Sequence, residues 1–171
     1  MFNAILLYKG EVEFAYMLLL TAACMGWGAG PERTTAGSIA FMFLAALPYH
    51  WVVGTASHLS TIDIGNALID GVTAVTLLVI ALFANRTYTL WLAALQLISL
   101  SSHVIRALST TMLPLTYAIL SAGPSYLELV VLTAGLVWHV RRVRRYGPYR
   151  SWRRSSLRSP ERAAPGLPKD R

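Results

Sequence analysis

An all-α bundle of membrane-spanning helices is the fold class that this sequence predicts, and three observations predict it. Of 171 residues, 55% are apolar and only 13% charged, whereas an ordinary soluble domain has about 45–50% and about 25%. The apolar residues fall in runs close to the roughly 20 residues that a helix needs to cross about 30 Å of hydrocarbon. The positive charge gathers behind the last of these runs: residues 141–171 hold eleven basic and two acidic residues, a net +9, against four basic and six acidic, a net −2, in residues 1–140. Such a separation orients a membrane protein and does not track phosphates, so no nucleic-acid partner is expected. The apolar content excludes an intrinsically disordered chain, and the single cysteine, Cys24, excludes a disulfide framework.

Five runs emerge in order. The first, residues 14–30, is short and follows Glu11 and Glu13; the second covers 37–55, the third 63–84, the fourth 87–108 and the fifth 124–143. An apolar piece at 113–122 is too short to span, and Gly123-Pro124 is expected to break it from the fifth run, since one helix from Pro114 to Arg144 would be about 46 Å long. The prediction is five transmembrane helices, or four plus one interfacial helix if the first run lies flat. Trp27, Tyr49, Trp51, Tyr88, Trp91, Tyr126, Trp138 and Tyr146 fall near span ends, as interfacial aromatics do.

Residues 1–145 form the bundle and 146–171 a basic tail, largely disordered from about Ser155, where Ser, Pro and Arg dominate. The excess of arginine after His139 places the tail in the cytoplasm and the loops 56–62 and 109–114, which hold no Lys or Arg, on the outer side. The partners this implies are the bilayer and anionic lipid along the tail.

Ionisable groups inside spans are costly and are expected to face the bundle interior. On the third run Asp63, Asn66, Asp70 and Thr73 share one helical face, and on the fourth Gln96, Ser99, His103 and Arg106 repeat that spacing. A short connection through Asn85 and Arg86 makes the two runs antiparallel neighbours, so the stripes meet at matching depth, Asp70 beside Ser99 about 10 Å below the outer surface. His50 and Glu128 fall in the same outer third. Nine residues, His50, Asp63, Asn66, Asp70, Gln96, Ser99, His103, Arg106 and Glu128, thus form one expected polar cavity opening outward, while the half toward the tail reads as apolar apart from His139.

This cluster reads in two ways: as polar contacts that specify helix packing, or as a site for a small ligand, an ion, a lipid headgroup or a quinone. Haem between His50 and His103 is a separate reading, opposed by the crowding of His50 by Tyr49 and Trp51. No metal site is expected, because His50, His58, Asp63, Asp70, His103 and Glu128 include no His-x-x-x-His or Glu-x-x-His pair. Nucleophile elbows and phosphate loops are absent from the sequence, which names neither catalytic residues nor a cofactor. The expected function is therefore a non-enzymatic membrane protein, a small-ligand binder or an accessory subunit of a larger membrane complex, with a membrane enzyme or haem-binding electron carrier using His50 and His103 as the alternative.

The stretches Asp63-Ile-Gly-Asn-Ala-Leu-Ile-Asp70, Asn85-Arg-Thr-Tyr-Thr-Leu-Trp91, Gln96-Leu-Ile-Ser-Leu-Ser-Ser-His103 and Pro124-Ser-Tyr-Leu-Glu128, with the closing Arg-Arg-Tyr-Gly-Pro-Tyr-Arg-Ser-Trp, give residues 60–153 a resemblance. This region resembles a group of small multi-span proteins of bacterial genomes without an assigned function. The resemblance implies a bacterial inner membrane and no particular activity.

Overall fold

Five helices follow one another in a computed structural model that describes residues 2–53, 63–108 and 114–152. They are α1 (Phe2–Trp27), α2 (Gly30–Val53), α3 (Ile64–Phe83), α4 (Tyr88–Leu108) and α5 (Pro114–Tyr146). Each packs on the next, and α5 closes the bundle by also lying against α1 and α2. One end therefore holds the α1–α2 turn, the α3–α4 turn and the end of α5; the other holds the starts of α3 and α5 and the end of α4. The loops read as outward-facing, and the tail beyond residue 152, lie outside the described residues apart from Pro114, which begins α5.

Local chemistry sets the helix ends. The short turn after α1 leads into α2 through Ala29, whose carbonyl accepts the amide of Arg33, while Glu32 Oε2 reaches back to accept the amide of Ala29 at 3.2 Å. That is the returning half of a capping box. Asp63 caps α3 by accepting the Asn66 amide. Tyr146 ends α5 because Gly147 turns the backbone to φ +78°, a conformation that glycine adopts without steric cost, and Pro148 follows.

The packing is apolar on both sides of the helices. Met17, Leu20, Ile39, Leu77, Leu92 and Leu132 are buried in the core together with Cys24. Leu19, Phe41, Val75, Leu82, Ile98 and Val130 are exposed on the outside, whereas Glu32, Asp63, Gln96, His103 and Glu128 are buried. Water would penalise such an exterior heavily, and a hydrocarbon surround would not. Among the described residues three helical stretches are long and apolar enough to cross a membrane, Ile64–Phe83, Tyr88–Leu108 and Leu115–Tyr146. The chain is a multi-pass membrane helix bundle. Four of its hydroxyl groups are satisfied within the helices that carry them: Thr73, Thr76, Ser101 and Thr133 each donate to the carbonyl four residues earlier.

Two expectations are corrected. The break at Gly123-Pro124 is absent: α5 is one helix of 33 residues with Pro124 inside it. Pro124 has no amide to give the Leu120 carbonyl, and the two nearby carbonyls that accept hydroxyls are those of Ala122, from Ser125 at 2.7 Å, and Ser121, from Ser99 of α4 at 2.8 Å. The half of the bundle toward the tail is also not apolar apart from His139. It buries Glu32, fully inaccessible, against Arg86, with Nε 2.9 Å from Oε1.

Candidate functional site

The two polar stripes do meet, with Asp70 at their centre. The Ser99 hydroxyl lies 2.7 Å from Asp70 Oδ2 and shares its one proton between that oxygen and the Ser121 carbonyl. His103 Nε2 lies 3.1 Å from the same Oδ2, and its Nδ1 lies 2.8 Å from the Tyr117 hydroxyl. An ionised carboxylate only accepts, so Nε2 carries the proton, and in the neutral ring Nδ1 accepts from Tyr117. A chain of hydrogen bonds thus runs from α3 through α4 to α5, and both ring nitrogens of His103 are engaged. Gln96 stands one turn deeper and donates from Nε2 to the backbone carbonyl of Asp70 at 3.3 Å.

Asp63 forms a second node one to two turns nearer the helix start. Its carboxylate accepts from the Tyr49 hydroxyl, from the Asn66 amide at 3.1 Å and from Asn66 Nδ2 at 2.7 Å. Part of its role is therefore that of a helix cap. The two nodes share a cavity of about 490 Å³ to which all five helices contribute, with Asp63, Asn66, Asp70 and His103 on its wall. Glu13 of α1 and Ser125 of α5 complete the wall, joined to each other at 3.1 Å.

The remaining expected members lie elsewhere. Gln96 and Ser99 stand behind the wall and support it. The guanidinium carbon of Arg106 lies 5.8 Å from the ring centre of Tyr117, a cation–π distance, and Arg106 is not on the wall. The side chain of His50 and the whole of His58 lie outside the described residues. Among the described residues no three His, Cys, Asp or Glu side chains converge to hold a metal ion.

Glu128 is fully buried, and neither carboxyl oxygen has a hydrogen-bond partner among the described residues. It does not line the cavity. Removing a buried polar group that nothing satisfies relieves a desolvation penalty, so Glu128→Leu is expected to stabilise the bundle by about 1–3 kcal/mol in a denaturant titration of detergent-solubilised protein. A loss of stability instead would show that the carboxyl makes contacts the fold requires.

Tyr49, Tyr117, Ser121, Ser125 and Glu13 belong to the site although the expected cluster did not include them. Tyr117, Ser121 and Ser125 carry a readable signal, a four-residue spacing that puts them on one face of α5. An assumed break at Gly123-Pro124 divides that face and hides it. Comparison with models of known protein families, with curated proteins and with solved structures finds no match to this chain.

Proposed function

We propose that this chain is a non-enzymatic membrane protein that binds a small cationic or donor-rich ligand in the cavity between its five helices. The observation that carries this reading is the chemistry of the wall. Its carboxylic acids and imidazole are Glu13, Asp63, Asp70 and His103, with no Lys or Arg among the described lining residues. Ionised carboxylates only accept hydrogen bonds, with about four acceptor sites each. A ligand rich in N–H or O–H donors, or a compact amine, complements such a wall. The chain Asp70–His103–Tyr117 adds rigidity, because each group fixes the next across three helices.

In this reading the protein sits in a bacterial inner membrane, with the arginine-rich end of α5 in the cytoplasm and the cavity toward the outer leaflet, following the distribution of basic residues. The test is purification of the full chain in mild detergent, with mass analysis of small molecules that accompany it, beside Asp70→Asn and Asp63→Asn. The expected result is a cationic or donor-rich molecule held by the wild type and reduced at least tenfold in folded Asp70→Asn. A wild-type preparation that carries bulk lipid alone, or a companion held equally by Asp70→Asn, removes the reading.

A further inference from the structure

The opposite end of the bundle carries a second cavity, of about 790 Å³, built from different chemistry. Five arginines line it, Arg86 from the α3–α4 turn and Arg141, Arg142, Arg144 and Arg145 from the last turns of α5, and the described lining residues include no carboxylate. Residues 147–152 fold back beside it. The Asn85 amide donates to the Ser151 carbonyl at 3.1 Å, and Trp152 packs so closely over Gly30 that a Cβ there would stand 2.5 Å from the indole nitrogen. This return seats Tyr149 between two guanidinium groups, with Arg86 Cζ 4.3 Å and Arg142 Cζ 4.2 Å from its ring centre. The Tyr149 hydroxyl lies 3.1 Å from His139 Nδ1. Burial raises the Tyr149 phenol above its ordinary pKa, the two arginines pull it down and Glu32 adds to the rise, and the ring stays neutral.

Two observations point to an anion here. Glu32 neutralises Arg86, which leaves four guanidinium groups on one wall with no carboxylate beside them on it. Arg86, 93% buried at its side chain, lines the same cavity and keeps Nη2 buried without a hydrogen-bond partner among the described residues. A guanidinium presents paired N–H donors that match the oxygens of a phosphate, and stacking on Tyr149 holds Arg86 and Arg142 in orientation. We propose that this cavity is a phosphate-binding site, formed by Arg86, Arg142 and their neighbours on α5 and closed on one side by Tyr149. Trp138 and Tyr146 on its rim mark the depth of lipid headgroups, where a phosphodiester is abundant. The proposal is independent of the ligand assigned to the acidic cavity.

The experiment uses the full chain in neutral detergent. Retention of phosphatidylglycerol is compared with retention of phosphatidylcholine by native mass spectrometry, and inorganic phosphate at millimolar concentration forms a second arm, read as a thermal shift. Arg142→Gln removes a cavity arginine; Arg150→Gln removes an equal charge from an exposed position outside the described lining. Arg142 is exposed too, so both variants are expected to fold, and unchanged melting without ligand verifies it. The expected result is at least tenfold preference for phosphatidylglycerol, lost in Arg142→Gln and kept in Arg150→Gln. If inorganic phosphate protects the wild type and not Arg142→Gln, while phosphatidylglycerol has no advantage, the phosphate site stands and its source is the free anion. Equal loss in both variants means charge attraction without a site, and binding of neither probe overturns the proposal outright.

Discussion

Glu32→Gln is expected to cost the bundle about 3–5 kcal/mol, because it leaves the largely buried Arg86 guanidinium charged without its carboxylate. Glu32 uses both carboxyl oxygens, one for Arg86 Nε and one for the Ala29 amide, so the change weakens the ion pair and the start of α2 together. Arg86→Met should cost a comparable amount by leaving Glu32 buried and unpaired. The double variant Glu32→Gln/Arg86→Met should recover most of the loss, since no orphan charge is left behind. Unfolding in mixed micelles measures all three. A double variant as unstable as the two singles added together would show that the pair is not coupled. Arg86→Met should also release Tyr149, seen as faster proteolysis between residues 147 and 152.

The second large effect is expected at Asp70. Asp70→Ala removes the acceptor that Ser99 and His103 share and is expected to destabilise the fold by about 3 kcal/mol, two hydrogen bonds to a charged group. Tyr117→Phe should cost only about 1 kcal/mol, because it removes one bond between neutral partners. The ordering is the test. If Tyr117→Phe is the more damaging change, Asp70 does not organise this chain of hydrogen bonds. His103→Phe combined with Asp70→Ala should cost less than the sum of the two, since each single change already breaks the bond they share.

The meeting of α3 and α4 is legible in the sequence because its physics is local. Residues three and four apart fall on one helical face, and a short connection makes two such faces neighbours; Asp70, Ser99 and His103 follow from these two rules. Asp63 is legible as well, as an acid just ahead of an apolar run. Tyr117 is harder, because a tyrosine near a span end has an ordinary explanation as an interfacial aromatic and because Pro124 looks like a terminator. Whether a proline ends a helix depends on what packs around it, here α4 with its Ser99 hydroxyl against the Ser121 carbonyl, and local spacing carries no record of that packing. Glu32 and Arg86 are harder still. Each stands between spans, where charge normally faces water, and they are 54 positions apart. Their burial accompanies the return of residues 147–152 over the α1–α2 and α3–α4 turns, a long-range event that no short window contains.

Helix α5 is about 50 Å long at 1.5 Å per residue and bears groups from both cavities. Tyr117 and Arg142 stand about 37 Å apart along its axis, one hydrogen-bonded to His103, the other stacked on Tyr149. A continuous helix transmits torsion. Any twist imposed where Tyr117 meets His103 would have to pass Pro124 before it reached Arg142 and its contact with Tyr149. Pro124 is the one rung on that path without an amide proton, so it is where the two ends of the molecule can be uncoupled.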